Sequence, residues 1–447
     1  MKRNLTTEPI SSLIKMIAIP ASIGFFFNTM FNVVDTYFGG QISTEALAAL
    51  SLSFPVFFII IAIGTGISTG TTALIAHELG AGKKKMAKHL AVQSITFGII
   101  LSFIMVALGI SLSPLLFKLL GASGEYLSMS LAYMNVIFYG TLFFMLVYIF
   151  NAILNAEGDT KSFRNFLIAG FFMNILLDPW FMYGWFGFPA LGIAGLAWAT
   201  VVIQASGMFY LGFKMYKTHF IKHIDLKDLF PEKRAFLELI KQGIPSSLNM
   251  MTVGIGIFVI TYFISGYGSA GVAAYGIATR VEQIFLLPTI GITIATLTLV
   301  SQNNGARKFQ RVKESLSIGL RYGLSIMTLG TIIIFIFAQM LMSIFTKDPE
   351  VIIIGAQYLR IASFLTWAYV ILFTNISALQ GLKKPLFALW IGLGRQIIAP
   401  LIIFTFLAHI LGWGLLGIWW GIFIINWIAA LITIYYTKKT FAHLGER

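Results

Sequence analysis

Cysteine is missing from all 447 residues. Its absence removes disulfide frameworks, thiolate metal sites and iron–sulfur clusters, and leaves the redox compartment unread. Histidine is scarce, with six residues scattered along the chain, so no imidazole metal cluster emerges. Charge is the third shortage: Asp, Glu, Lys and Arg make up 11% of the chain, where soluble domains carry about a quarter. Catalytic signatures are missing too. GAGKKK, near residue 80, lacks Walker spacing and the Ser or Thr that should follow its lysine. His77-Glu78 is followed by Ala81 where a zinc protease needs its second histidine, and no Gly-x-Ser-x-Gly elbow occurs. We therefore expect no enzyme, no bound cofactor and no structural metal.

What fills the chain is apolar. Hydrophobic residues make up 58% and the mean hydropathy is +0.86, the composition of a polytopic membrane protein. Twelve apolar segments can be counted, at 10–38, 46–79, 89–117, 126–155, 163–183, 190–216, 235–263, 270–301, 313–345, 351–379, 385–410 and 414–437. The formal charge of +14 does not require nucleic acid, because the basic residues gather in alternate loops. Lys2 and Arg3 begin the chain, Lys83 to Lys85 follow the second span, and Lys161 and Arg164 follow the fourth. Lys217, Lys222, Lys227, Lys233 and Arg234 follow the sixth, Arg307, Lys308, Arg311 and Lys313 the eighth, Lys383 and Lys384 the tenth, and Lys438 and Lys439 the last. The opposite loops hold little beyond Lys118 and Lys347. Both termini are thus expected in the cytoplasm, with the protein in the plasma (inner) membrane. The polar start MKRNLTTEPISSLIK shows no small-residue cleavage site, so the first segment reads as retained.

The chain repeats itself. Sliding residue 20 onto residue 245 pairs Pro20 with Pro245, Ser22 with Ser247, Thr36-Tyr37-Phe38 with Thr261-Tyr262-Phe263, Gly66-Ile67 with Gly291-Ile292, and Gly80-Ala81 with Gly305-Ala306. Later the register shifts slightly, and Glu157-Gly158 meets Gln380-Gly381. The expected fold is all-α, with twelve transmembrane helices in two six-helix lobes, 1–216 and 235–447, joined by a cytoplasmic loop at 217–234. Six spans per copy is an even number, so both copies enter the membrane in the same direction. They should be related by a pseudo-twofold along the membrane normal, with the functional cavity between them.

Two acids stand inside apolar runs. In PASIGFFFNTMFNVVDTYF, residues Asn28, Asn32 and Asp35 fall at i, i+4 and i+7 on one helical face. Pro20, upstream, removes a backbone hydrogen bond and offers a place to bend. In NILLDPWF, Asn174 and Asp178 share a face at i and i+4. An acid at mid-membrane costs about 2.5–3.5 kcal/mol on insertion scales, so it normally faces a bundle interior or water. Both spans run outward and place their acids at similar depth. Two carboxylates close together there cannot both stay charged, so the pair can take a proton or bind a monovalent cation such as Na⁺. The blander reading puts Asp35 at the headgroups and makes Asp178 a cap before Pro179. Neighbouring candidates are Tyr139, Asn151, Asn155 and Thr200, each individually more typical of an interhelical hydrogen bond. Arg280, Glu282, Arg360 and Arg395 read as snorkelling side chains or internal ion pairs.

Several stretches carry a resemblance. VVDTYFGGQISTEALAALSLSFP, GISTGTTALIAHELGAGKK, LLPTIGITIATLTLVSQNNGARK, LNAEGDTKS and LQGLKKP together resemble the multidrug and toxic compound extrusion (MATE) transporters over essentially the whole chain. Asp35, Asn174 and Asp178 resemble the amino-terminal acidic site of the DinF-like branch, and Pro20 its bending proline. The resemblance implies a V-shaped pair of lobes working as a monomer in the lipid bilayer. It further implies export of organic cations, often drugs, in exchange for H⁺ or Na⁺. Tyr139 and Thr200 would join the coupling site, and Asn28, Asn32, Tyr37 and Asn151 would meet substrate. The NorM-like branch carries carboxylates in its carboxy-terminal lobe; here SLNMMTVGIGIF and LTWAYVILFTNISAL carry none. A lipid-linked oligosaccharide or lipid flippase of the same superfamily is the alternative, with Arg280, Arg360 and Arg395 meeting a pyrophosphate. A channel or structural membrane protein is a third.

If the charge pattern sets topology, tags at Met1, within 217–234 and at Arg447 should all be shielded from impermeant label applied outside intact cells. Labelling of any one of them would overturn the even span count.

Overall fold

The computed structural model describes residues 4–218 and 226–445. Lys2, Arg3, Lys222, both terminal tag positions and the middle of the 217–234 loop lie outside the described residues. Among the described residues there is no strand. The long helices are α1 (Ile10–Ile42), α2 (Thr44–Gly80), α3 (Lys84–Leu119), α4 (Gly124–Tyr139), α5 (Thr141–Ala156), α6 (Lys161–Tyr183) and α7 (Ile193–Tyr216). They continue with α8 (Lys233–Ser265), α9 (Ser269–Gly305), α10 (Phe309–Ser343), α11 (Pro349–Ala362) and α12 (Leu365–Gly381). The last are α13 (Leu386–Leu393), α14 (Ala399–Phe404) and α15 (Gly414–Ala442), with π-helical turns at Gly394–Ile398 and Thr405–Ile410 around α14. Caps punctuate them where the sequence supplies the chemistry. Ser43 accepts the Ala46 N–H before α2 at 3.0 Å, and Asp348 accepts the Glu350 N–H at 2.9 Å beside Pro349 in the first turn of α11.

Ten helices are long and apolar enough to cross a membrane, and two bent pairs bring the number to twelve. The fourth and tenth spans, which the apolar runs suggested were unbroken, bend by 48° between α4 and α5 and by 51° between α11 and α12. The bends occupy equivalent places: the register that pairs Glu157-Gly158 with Gln380-Gly381 sets Gly140 opposite Ser363. At the first, Gly140 lets Val201 of α7 lean into the helix axis. At the second, the Ser363 carbonyl freed by the bend accepts hydroxyls from Thr331, at 3.0 Å, and Thr366, at 2.9 Å. A break within the hydrocarbon survives because side chains satisfy the freed backbone.

The helices group into two compact units, one formed by Ile23–Ser247 and the other by Met1–Ser22 with Leu248–Arg447. The lobes expected from the sequence divide at the 217–234 loop; by contact the breaks fall inside α1 and α8, at the repeat-equivalent serines. The reason is where the apolar faces of these two helices are buried. The first half of α1 packs Leu13, Ile14, Ile17 and Ala18 against Ile292, Ala295 and Leu299 of α9. The first turns of α8 pack Ala235 and Leu239 into the cluster built on Ile67, Leu74 and Ile153. Each arm is pinned ahead of its helix. Asn303 and Arg311 hold the Leu5 carbonyl, and Gln93 holds the carbonyls of Asp228 and Phe230 at 2.9 and 2.8 Å.

One close approach per unit fixes these arms. A Cβ on Gly291 would overlap the Ala18 carbonyl and Ser22 Oγ, and a Cβ on Gly66 would overlap Ser247. These are the same pair of positions in the two repeats. Gly291→Val and Gly66→Val should therefore each lower the unfolding midpoint in detergent, by the few degrees that about 1–3 kcal/mol of overpacking implies. Gly276→Ala, which meets nothing within 4 Å, should not. Midpoints unchanged in both valine variants would refute the tight crossing.

Candidate functional site

The site is built inside the Ile23–Ser247 unit from the second half of α1 and from α6. Gly24 brings these two helices together: its missing side chain lets the Arg164 backbone and Leu167 of α6 approach where a Cβ would stand 3.2 Å from each. Farther along, Asp35 comes opposite Asn174 and Asp178. The Asn174 amide nitrogen donates to Asp35 Oδ1 at 2.9 Å and to Asp178 Oδ1 at 2.8 Å. The two carboxyl groups are also within hydrogen-bonding reach of each other. Asn174 and Asp178 are fully buried, and Asp35 is half-buried. Asn174 Oδ1 and Asp178 Oδ2 are buried with no hydrogen-bond partner.

The capping reading of Asp178 fails on this geometry. Asp178 caps nothing: α6 runs on past Pro179 and ends at Gly184, whose left-handed φ of 76° closes the helix. Asp35 stands two turns before the end of α1 and is tied to another helix through Asn174. A carboxylate pair sharing one amide donor, with two unsatisfied oxygens in a dry setting, is a costly arrangement. Such an arrangement can change its charge by taking up a proton, or can take up a small cation.

The other candidates separate. Tyr139, expected beside the acids, is 61% exposed at the end of α4. Tyr133 is the buried tyrosine, 7% exposed, and lies close enough to feel the charges of both Asp35 and Asp178. The signal for it was legible, because the buried stripe of α4 reads Ser130, Tyr133, Met134 and Ile137, at i, i+3, i+4 and i+7. Tyr139 stands off that stripe. Thr200 is buried but gives its hydroxyl to the Leu196 carbonyl of its own helix at 3.1 Å. Asn32 turns its amide back to the Asn28 carbonyl at 2.8 Å, and both side chains are exposed, as is Tyr37. Asn151 is buried on α5 with its oxygen unpartnered, and no hydrogen bond joins it to Asn28 or Asn32 among the described residues.

The other unit holds a buried carboxylate outside the two stretches noted as lacking one. Glu282 of α9 accepts the Tyr358 hydroxyl at 2.9 Å and makes no ion pair with Arg280, which is exposed. Arg360 is also exposed. Arg395, in the π-helical turn, donates to Asn426 Oδ1 at 2.7 Å and lies over the Phe373 ring. The three arginines make no contact with one another among the described residues.

The MatE family profile matches residues 20–180 and again 245–405, so the two copies start at the two paired prolines. The chain is a member of the MatE family. It is 30% identical over 414 residues to the probable multidrug resistance protein NorM of Thermotoga maritima, covering 92% of this chain and 88% of that one. It is 28% identical over 398 residues to the probable multidrug resistance protein YoeA of Bacillus subtilis, covering 86% and 83%. Among solved structures, an outward-facing multidrug resistance MATE transporter of the MOP superfamily superposes with a TM-score of 0.92 at 25% identity, covering 99% of this chain and 98% of that one. This MATE protein is thus a multi-pass membrane transporter of the multidrug efflux family rather than an enzyme.

Should the buried tyrosine belong to the site, Tyr133→Phe will cut gradient-driven transport in vesicles, the loss being read as the ratio of initial rates. Tyr139→Phe will leave it unchanged. The reverse pattern would return Tyr139 to the site.

Proposed function

We propose that this MATE protein is a secondary active antiporter of the DinF-like type, exporting organic cations in exchange for inward-moving H⁺ at Asp35, Asn174 and Asp178. The observation that carries the reading is the Asn174 amide nitrogen turned to both acids at once. So oriented, Asn174 offers the pair no oxygen, and a Na⁺ ion would need the amide to flip before it found a third ligand. A proton needs no such change. One proton shared between the carboxyls removes the like-charge repulsion and leaves a neutral, hydrogen-bonded pair suited to a dry site.

Motion follows from the change in charge. A charged pair prefers water and cationic partners, and a protonated pair packs in drier surroundings. Pro20 lies within α1, buried and without an N–H for the Met16 carbonyl, so bending there is cheaper than elsewhere along the helix. Protonation of Asp35 then bends α1 and shrinks the polar space that Asn28, Asn32 and Asn151 offer a cation. Tyr133 takes the place first given to Tyr139, and Thr200 and Tyr37 stay at the margins. The protein works as a monomer in the inner membrane with both termini cytoplasmic. The flippase alternative draws no support from Arg280, Arg360 and Arg395, which do not converge.

Proton and cation compete, so each must weaken the other's binding equally. In purified protein, affinity for an organic cation should fall by up to about tenfold for each unit that the pH drops below the range where the pair takes its proton. It should stay flat in Asp35→Asn. Pro20→Ala should keep the pH dependence yet lose most gradient-driven export, which separates proton binding from motion. Affinity that does not vary between roughly pH 5 and 8 in wild type, or export that survives both Asp35→Asn and Asp178→Asn, would eliminate the mechanism.

A further inference from the structure

A groove of about 530 Å³ opens between α10, α12 and α15 and shares no residue with the acid site. Its α10 wall is a straight apolar stripe, Leu316, Leu320 and Leu324, faced by Ile371 and Ile434. At one end stand two lysines from different helices, Lys313 near the start of α10 and Lys438 near the end of α15. Both are exposed and neither forms an ion pair among the described residues, and none of the lining residues is acidic. Just inside them, Thr437 lines the groove while 2% exposed, and its hydroxyl oxygen has no hydrogen-bond partner.

We infer that this groove is a binding site for an anionic glycerophospholipid, with the phosphate between Lys313 and Lys438 and an acyl chain along the leucine stripe. Three observations bear on the occupant. The rise from Lys313 to Leu324 is about 16 Å at 1.5 Å per residue, half of the roughly 30 Å hydrocarbon core, so the groove has the depth of one leaflet. Charge complementarity selects the headgroup. Two lysines from different helices line the groove with no carboxylate among its lining residues, and basic pockets between transmembrane helices favour anionic headgroups. Thr437, one residue inward from Lys438, places a buried and unclaimed hydroxyl where an ester carbonyl can accept it. A soluble phosphate would use the lysines alone and leave the stripe and Thr437 without a role.

The test is native mass spectrometry of the full chain from neutral detergent, offered phosphatidylglycerol or phosphatidylcholine with the same acyl chains. Wild type should retain phosphatidylglycerol preferentially, and Lys313→Gln/Lys438→Gln should cut that retention roughly 10- to 30-fold at about 1 kcal/mol per lysine. Leu320→Trp, which fills the groove and keeps both charges, should reduce retention of either lipid. Lys84→Gln/Lys85→Gln, on α3 and not among the residues that line the groove, should change nothing. Equal retention of the two lipids would overturn the inference. So would an equal loss in the Lys84/Lys85 pair, or displacement of the lipid by millimolar inorganic phosphate.

Discussion

Two contacts between a serine-bearing helix and a glycine, Ser22 on Gly291 and Ser247 on Gly66, hold this protein's architecture in place. Each lets two helix backbones come closer than any side chain would allow, which is how helices associate in lipid, where apolar surface alone supplies no driving force. They explain why the compact units divide inside α1 and α8 rather than at the long polar loop. The first half of each of these helices is buried with partners from the other half of the chain, and its apolar residues are spent there. Pro20 and Pro245 fall just ahead of the two serines, so a bend in either helix occurs at the edge of its tightest contact.

The acid site follows from the same helix. Once α1 has been fixed at Ser22 and drawn onto α6 at Gly24, the rest of its length sets Asp35 against Asn174 and Asp178. Burying Asp178 beside the half-buried Asp35 works against stability, and a single amide cannot satisfy four carboxyl oxygens. Asp178 Oδ2, buried without a partner, records that shortfall. A purely structural helix contact would be better served by apolar side chains. A carboxyl pair with spare acceptors is suited to taking up a proton, and a transporter in the MatE family has reason to retain it. Glu282, held by Tyr358 in the other unit, shows that the repeats share a frame while differing in their chemistry: the position matching Asp35 is Ile260.

The chain alone determined a good deal. Its apolar runs and alternating basic loops specify an all-helical membrane protein, because a bilayer admits few other structures for such a composition. The internal register foretold which serine, glycine and proline positions would be equivalent, and the face shared by Asn174 and Asp178 follows from helical period alone. Only the tertiary structure decided what crosses between segments distant in sequence. Asp35 and Asn174 are 139 residues apart, and nothing local to either says that they meet. Tyr133 rather than Tyr139 is the buried tyrosine, because the break at Gly140 ends α4 and leaves Tyr139 off the buried stripe. The bends at Gly140 and Ser363 were hidden inside continuous hydrophobic runs, since hydropathy records burial in lipid and is blind to the hydroxyls that satisfy a broken backbone. The unit boundaries were hidden for a related reason. A polar loop marks where a chain leaves the membrane, whereas the edge of a packed unit depends on which faces find partners, and that is a property of the whole fold.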